Sequence, residues 1–320
     1  MSGKELNIQN IAKNELIAKK ISKDCQKAFL SAVARGSGQI ALSSRGFGLT
    51  FEHENKDLIK LCVSIIDSAY GFEGIVENSN KNIGMRALNL YRVTYEQGAD
   101  KLLNELRIMD GYETVKGIPK EFTQKTARAK AYLKGIFLSC GALSVPNDKD
   151  AQAYEGRKGY HLEFNLGTDL IVKDLITLIC KLSGIEPRSV KQRKNSPSVY
   201  IKSAQSISDC LAAMGAAKAV LMLQQVMVNR AMRNHLNRGN NFILANIDKS
   251  VNASRKQTEA IQKIFDAKRQ DLLSDSLLNT ARARLNYPDA ALSEIAEMTG
   301  STKSKINHHM RKIIEIAKNL

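Results

Sequence analysis

One order of predicted elements occurs twice along the first two thirds of the chain. A helix is predicted over 25–36, followed by a hairpin of two short alternating strands and a second helix over 56–70. The pattern returns as a helix over 126–139, a strand over 160–166 and a strongly apolar helix over 170–182. Corresponding elements lie roughly 105 residues apart, which is too long for a solenoid unit. The sequence therefore predicts a tandem duplication of one α+β half.

The first helix of each half carries small residues at four-residue spacing. They are Ala28, Ala32 and Gly36 in the first helix, and Ala131, Gly135 and Ser139 in the second. Positions four residues apart lie along one ridge of a helix, and a ridge of small residues lets two backbones approach closely. Because the pattern stands at matching places in a duplication, we expect the two halves to pack on each other through these two helices.

After residue 250 only helical patterns remain, and the sharpest of them is at the C-terminal end. A short helix is predicted over 290–298, with Pro288 and Asp289 as start signals. Gly300 then suits a tight turn that needs left-handed backbone, and Ser301 or Thr302 can cap the next helix. That second helix carries an apolar stripe of Ile306, Met310, Ile313, Ile314 and Ala317. This spacing is typical of a helix-turn-helix.

The polar face of the second helix carries the side chains that a reader of the major groove needs. We expect DNA contacts from Lys303, Ser304, Lys305, Asn307, His308, Arg311 and Lys312. Of these, Ser304, Asn307, His308 and Arg311 are expected at base edges, and the lysines at phosphates. The alternative is a helical domain whose polar face is only solvated.

The charge balance also favours a polyanionic partner. The chain holds 48 Lys and Arg against 32 Asp and Glu, a formal net charge of +16, and cations docked on phosphates release condensed counterions. Candidate phosphate contacts are Lys191, Arg193 and Lys194 at a predicted hairpin tip, and Arg230, Arg233 and Arg238 in a basic helical connector over 221–246. A solvated loop, or pairing of the connector arginines with carboxylates, remains the alternative.

Several classes of protein are disfavoured by the sequence. There is no run of about 18 apolar residues that would span a membrane, and the polar N-terminal segment does not resemble a secretory signal. Five cysteines without a CxxC pair fit neither a disulfide framework nor a zinc site. No phosphate-binding glycine loop is found. We therefore expect a cytoplasmic, nucleoid-associated protein without a cofactor.

The two small-residue helices resemble a known motif. Segments 30–38 and 133–141 are similar to degenerate copies of the LAGLIDADG motif of homing endonucleases. In active members of that family, the acidic residue before the final glycine binds the catalytic divalent metal, and the matching positions here are Ser37 and Cys140. Neither residue supplies the carboxylate oxygen that Mg²⁺ prefers. The resemblance therefore implies the fold without a metal and without catalytic residues, unless Asp148 or Asp150 supplies the missing acid.

Segments 303–308 and 232–238, together with 128–135 and 159–164, resemble the WhiA family of bacterial sporulation and division regulators. The resemblance implies an α+β fold, a duplicated LAGLIDADG homing-endonuclease-like domain followed by an all-α helix-turn-helix domain.

The two domains are expected at 1–226, with pseudo-repeats at about 20–110 and 125–215, and at 227–320. The resemblance further implies a sequence-specific, non-catalytic DNA-binding regulator of transcription, not an enzyme. Its partners would be double-stranded promoter DNA and, through the first domain, a protein of the transcription machinery. The rival hypotheses are a divergent LAGLIDADG endonuclease, an RNA maturase and an RNA-binding protein.

Overall fold

The computed structural model describes residues 7–44, 46–83, 86–146, 159–191 and 197–320, including all side chains in these ranges except those of 79–83, 86–88, 190 and 191. The chain divides into two compact units, Met1–Val228 and Asn229–Leu320. The sequence places the limit between the domains at 226/227, and the two units meet at 228/229, within helix α9.

The first unit contains two halves joined by a short linker. The first half comprises α1 Ile8–Ala18, α2 Lys23–Ser37, β1 Gly38–Ser43, β2 Gly46–His53, α3 Lys56–Tyr70, β3 Glu77–Ile83, β4 Arg86–Tyr95 and α4 Ala99–Glu105. The linker holds β5 Met109–Asp110, β6 Glu113–Thr114 and α5 Lys120–Thr123. The second half comprises α6 Thr126–Cys140, β7 Gly141–Ser144, β8 His161–Asn165, α7 Val172–Ser183, β9 Arg188–Lys191, β10 Pro197–Ile201 and α8 Ala204–Met214. Helix α9, Ala217–Asp266, follows and contains the predicted connector.

Each half contains a four-stranded antiparallel sheet with the same strand order. The order is β1-β2-β4-β3 in the first half and β7-β8-β10-β9 in the second. The helix that follows the second strand of each half also ends in the same way. Both α3 and α7 stop at a glycine in the left-handed region, Gly71 at φ 69° and Gly184 at φ 70°. The predicted duplication is confirmed by this shared topology.

The two small-residue helices, α2 and α6, pack against each other at the centre of the first unit. A Cβ added to Gly36 of α2 would lie 2.0 Å from the Ser139 Oγ of α6. Around this seam both helices bury large side chains, among them Phe29, Leu30 and Phe137. The predicted packing of the halves through these helices is confirmed.

Some boundaries differ from the predictions. The strand predicted over 74–77 begins at Glu77, because Gly74 lies against the side chains of Tyr95 and Val93 before the chain joins the sheet. The helix predicted over 99–109 ends at Glu105, since Arg107 takes a φ of 55° and turns the chain into β5. Helix α1 and strand β7 lie outside the sequence predictions.

The second unit is helical, as predicted. Besides the C-terminal part of α9 it contains a short 3-10 turn Gln270–Leu272, α10 Asp275–Asn286, α11 Leu292–Met298 and α12 Lys303–Lys318. Its core is formed by apolar side chains from all four α-helices: Ile261, Ile264, Leu277, Ala281, Ile295, Ile306, Met310 and Ile313. In the described part of the chain, no helix is both long and apolar enough to cross a membrane.

Candidate nucleic-acid interface

The turn between α11 and α12 has the local chemistry that its sequence predicts. Gly300 has a φ of 61°, in the left-handed region. The backbone amide of Ser301 donates to the carbonyl of Ala296 at 2.7 Å, which satisfies a carbonyl at the end of α11. Thr302 is the N-cap of α12, and its hydroxyl accepts from the Lys305 amide at 3.3 Å. The two helices are thus joined by a short, hydrogen-bonded turn.

Helix α12 buries one face and exposes the other. Ile306, Met310, Ile313 and Ala317 are buried, whereas Ile314 is only half-buried and lies at the edge of the predicted stripe. The residues expected to contact DNA are all exposed: Lys303, Ser304, Lys305, Asn307, His308, Arg311 and Lys312. The structure therefore brings all seven together on one solvent-facing surface, which we call the α12 polar face.

His309 fixes the orientation of α12 on α10 and was missed by the sequence analysis. Its side chain is buried, and its Nδ1 lies 2.7 Å from the Thr280 hydroxyl of α10. Burial lowers the pKa of His309, and the nearby charges of Lys305, His308 and Lys312 lower it further. A neutral imidazole at this position locks the rotation of α12 and hence the direction of its polar face. The sequence did contain a signal for this position. His309 follows Ile306 by three residues and precedes Ile313 by four, and this spacing places it on the buried face of the helix.

Arg284 of α10 fixes the entry to α11. Its side chain is 2 % exposed, and its Nη1 donates to the carbonyls of Pro288 at 3.2 Å and Ala290 at 2.6 Å. Burial lowers the pKa of this guanidinium.

The sequence places the start of α11 at 290, but the helix begins at Leu292. The carboxylate of Glu294 accepts a hydrogen bond from the Ala291 amide at 2.7 Å and so caps the N-terminal end of α11.

The C-terminal part of α9 packs on the same bundle. Ile261 and Ile264 are buried in the core, and the Lys263 ammonium donates to the carbonyl of Ala317 at 2.8 Å, near the end of α12. A cation at this position satisfies one of the carbonyls at the C-terminal end of the helix. The helix-turn-helix is therefore held from behind by α9 and α10.

The structure places three of the six candidate phosphate contacts. Arg230, Arg233 and Arg238 lie on α9 in the second unit, the first two half-buried and Arg238 exposed. The Arg233 Nε donates to the Asn229 carbonyl at 3.4 Å. Lys191 is the last residue of β9 and its side chain lies outside the described part, as do Arg193 and Lys194 altogether.

The two degenerate metal positions end the two central helices. The Ser37 hydroxyl donates to the Val33 carbonyl at 3.3 Å, and the Cys140 thiol donates to the Ile136 carbonyl at 3.3 Å. Burial raises the pKa of the Cys140 thiol to about 12, so it is not a thiolate ligand at neutral pH. Asp148 and Asp150, the acids considered as replacements, lie outside the described residues.

These donors do not fit the divalent metal of the active endonucleases, which needs anionic oxygens. Within the described ranges, no group of three or more His, Cys, Asp or Glu could hold a metal ion.

Comparison with protein families covers most of the chain. The WhiA N-terminal LAGLIDADG-like domain matches residues 23–109, the WhiA LAGLIDADG-like domain matches 129–233, and the WhiA C-terminal HTH domain matches 236–317. The sequence-predicted helix-turn-helix lies inside the last of these ranges and is confirmed.

Relatives of similar length agree with this assignment. The "Probable cell division protein WhiA" of Anoxybacillus flavithermus is 31% identical over 325 residues, covering 98% of this chain and 95% of the relative. A protein of the same name from Clostridium beijerinckii is 34% identical over 310 residues, covering 94% of each. The crystal structure of full-length DUF199/WhiA from Thermatoga maritima shares the fold with a TM-score of 0.55, at 21% identity and 98% coverage of both chains. On this combination of domains, identity and coverage, the chain belongs to the WhiA family.

Proposed function

We propose that this protein is a sequence-specific, non-catalytic DNA-binding regulator of transcription that acts at promoters, in the cytoplasm and associated with the nucleoid. The observation that carries the proposal is the α12 polar face. Seven hydrogen-bonding or cationic side chains are exposed there on the second helix of a helix-turn-helix whose opposite face is buried. In this motif the second helix enters the major groove. The names of the relatives indicate that the regulated genes serve cell division, and the family resemblance adds sporulation.

The roles within the face follow from side-chain chemistry. Asn307 and Arg311 lie four residues apart and so stand above one another on α12. Their side chains can form bidentate contacts with adenine and guanine, respectively. Ser304 and His308 are assigned to neighbouring base edges. Lys303, Lys305 and Lys312 are assigned to phosphates, where they set the register of the helix.

A second set of contacts is assigned to α9. Residues 229–256 hold six Lys and Arg against one acid, Asp248. At 100° per residue, Arg230, Asn234, Asn237 and Asn241 fall within one narrow arc of the helix, and Arg233 and Arg238 flank it. Guanidinium and amide groups in a row suit a phosphate backbone, which carries no sequence information. We assign Arg230, Arg233 and Arg238, with Lys191, Arg193 and Lys194 of the first unit, to phosphate contacts.

The first sheet of the first unit is a weaker candidate for DNA. On its face opposite the core, Thr50 and Thr94 have their hydroxyls 2.9 Å apart, and the Arg92 Nε lies 3.3 Å from the Glu77 carboxylate. A cation already paired with a carboxylate attracts a phosphate less. Apart from the three phosphate contacts of its second half, we assign to the first unit the contact with a protein of the transcription machinery.

Selection of duplexes from a random pool tests the proposal. The full chain should enrich one motif, and a variant with Ser304, Asn307, His308 and Arg311 all changed to Ala should enrich none while melting at the same temperature. A variant with three exposed lysines of the first unit changed to Ala, Lys101, Lys116 and Lys120, is the matched control and should enrich the same motif as the wild type. Enrichment of that motif by the quadruple variant would refute the assignment to α12.

Two further experiments address the rival functions. Incubation of plasmids with the full chain and Mg²⁺ or Mn²⁺ should give no site-specific double-strand cut, and a reproducible cut would establish an endonuclease. Competition between the enriched duplex and structured RNA at about 150 mM salt, where nonspecific attraction weakens, should favour the duplex. Preference for RNA would instead support a maturase or another RNA-binding protein.

A further inference from the structure

Helix α1 packs alongside the C-terminal half of α6, close to the degenerate metal position at Cys140. Ile8, Ala12 and Leu16 anchor it in the core of the first unit. At its N-terminal end, the Gln9 side chain accepts from the amide of Leu143, in the strand that directly follows α6, at 2.6 Å. At its C-terminal end, the Glu15 carboxylate accepts from the amides of Lys218 at 2.9 Å and Ala219 at 3.3 Å. The helix is thus fixed at both ends.

Between these anchors, α1 carries Lys13 toward the C-terminal end of α6. The ammonium lies 5.9 Å from the centre of the Phe137 ring, in the last turn of α6. Burial lowers the pKa of Lys13, and the Glu54 carboxylate and an ionised Cys140, both close to the ammonium, oppose this effect only in part. Lys13 is therefore a partly buried cation beside the last turn of α6, near the degenerate metal position at Cys140.

The neighbouring His53 is not available as a metal ligand. Its Nδ1 accepts from the Asn55 amide at 2.9 Å, and the imidazole is also hydrogen-bonded to the backbone of Ser139. Burial lowers the pKa of His53 to about 4, and the charge of Lys13 adds to this effect. Both ring positions are thus used by the backbone, and Lys13 supplies the positive charge here.

A cation has a physical reason to lie at this end of α6. The last carbonyls of a helix carry a partial negative charge, equivalent to roughly half an electron, that attracts cations. In active relatives of this fold, an acid and a divalent metal stand at the same end. We propose that α1 closes the former metal site of this chain, with the Lys13 ammonium in place of the metal.

Acidic residues at positions 37 and 140 should not by themselves restore binding of a divalent metal. If carboxylates were introduced at positions 37 and 140, the one at position 140 would already have the Lys13 ammonium nearby. Because this ammonium is tethered to the chain, it competes with a dissolved metal ion without losing translational freedom. Removal of the ammonium should therefore be required before a divalent cation binds. This inference concerns the first unit alone and does not depend on the proposed DNA binding.

Titration calorimetry with Mn²⁺ tests the inference on two variants of the full chain. The double variant Ser37→Asp/Cys140→Asp should bind Mn²⁺ at least about tenfold more weakly than the triple variant that adds Lys13→Met. A triple variant with Lys20→Met, an exposed lysine just beyond α1, should behave like the double variant. Equal Mn²⁺ binding with and without Lys13, whether measurable or absent, would overturn the proposal.

A thermal double-mutant cycle covers the case in which the multiple variants do not fold. Cys140→Asp should lower the melting temperature less in the wild-type background than in the Lys13→Met background, because only the wild type offers the new carboxylate a cation. The cycle should show no such coupling between Cys140→Asp and Lys20→Met. An equal loss in the wild-type and Lys13→Met backgrounds would show that Lys13 does not face position 140, and would refute the closure.

Discussion

Gly135 of α6 lies so close to α2 that an added Cβ would stand 2.7 Å from the Cβ of Ala32 and 2.7 Å from the Phe29 carbonyl oxygen. Real Cβ atoms do not approach other heavy atoms at this distance, and one of the two obstacles is backbone. The glycine therefore permits the separation of the two central helices, and with it the packing of the duplicated halves.

Gly135→Ala should destabilise the protein, although glycine to alanine in the middle of a helix normally stabilises it by about 1 kcal/mol. The expected loss in the free energy of unfolding is about 1–3 kcal/mol, since the helices must move apart or distort. Urea unfolding followed by circular dichroism measures it. Gly167→Ala is the control, because nothing lies within 4 Å of its added Cβ, and it should leave the free energy nearly unchanged. A stabilised Gly135→Ala variant would contradict the close packing.

This seam shows what could be predicted from the sequence. Ala32 and Gly135 were detectable because small side chains at four-residue spacing lie along one ridge of a helix, and the recurrence of this pattern in both halves favoured close packing over two ordinary amphipathic helices. The turn at Gly300 was detectable for a similar reason, since a left-handed residue between two apolar stripes restricts the chain to a few conformations. Patterns within short segments were thus sufficient to predict the duplicated fold and the exposed polar face of α12.

The residues that position the site were not predictable in the same way. His309 and Thr280 are 29 residues apart, and Lys13 and Cys140 lie in different halves of the first unit. Each of these side chains could equally be solvated in its local segment. Only tertiary packing decides that it is buried, and neither periodicity nor spacing contains that information. Arg284 is the strongest case, because arginine is rarely buried without a carboxylate partner.

The contact between His309 and Thr280 should make the second unit sensitive to acid. The folded pKa of His309 lies below its ordinary value of 6.5, so the unfolded chain binds a proton more readily. The stability contributed by the neutral imidazole is complete above about pH 6.5 and is lost as the pH falls from that value toward the lower folded pKa. Hydrogen exchange of the α12 amides between pH 5 and 8, corrected for intrinsic rates, should show this loss of protection in the wild type.

His309→Gln should remove most of that pH dependence, because an amide can still bond to Thr280 but does not titrate. His308→Gln is the matched control: His308 is adjacent, exposed and on the same helix, so its loss should leave the dependence in place. The reverse pattern would show that the acid sensitivity arises at the exposed ring.

Arg284→Met should destabilise the second unit by about 1–3 kcal/mol. Methionine fills similar space, but the carbonyls of Pro288 and Ala290 lose their buried donor, and such groups are costly to leave unpaired. Arg282→Met, on the same helix with an exposed side chain, should change the free energy of unfolding by less than about 0.5 kcal/mol. Chemical unfolding of both variants provides the comparison, and equal effects would show that the two backbone hydrogen bonds of Arg284 contribute little.

Arg311→Ala should weaken binding to the enriched duplex by about 1–3 kcal/mol if the guanidinium reads a base. The loss should be smaller on a duplex in which the contacted base pair is changed, because the arginine no longer has its partner there. Lys318→Ala, at the end of α12 and exposed, is the control and should affect both duplexes little. Fluorescence anisotropy at fixed salt measures the six affinities of the wild type and the two variants for the two duplexes. An unchanged affinity for Arg311→Ala would remove this residue from the reading surface.

The α9 arginines should contribute to affinity without contributing to specificity. Each phosphate contact changes the slope of log K against log salt by about −0.9, so changing Arg230, Arg233 and Arg238 together to Gln should reduce the magnitude of the slope by about 2–3 on any duplex. The ratio of specific to nonspecific affinity should stay the same, since phosphates carry no sequence. Changing Lys101, Lys116 and Lys120 of the first unit to Gln removes the same formal charge and should leave the slope nearly unaltered. Equal slopes for the two triple variants would show that α9 acts only through net charge, and a changed specificity ratio would place its arginines at base edges instead.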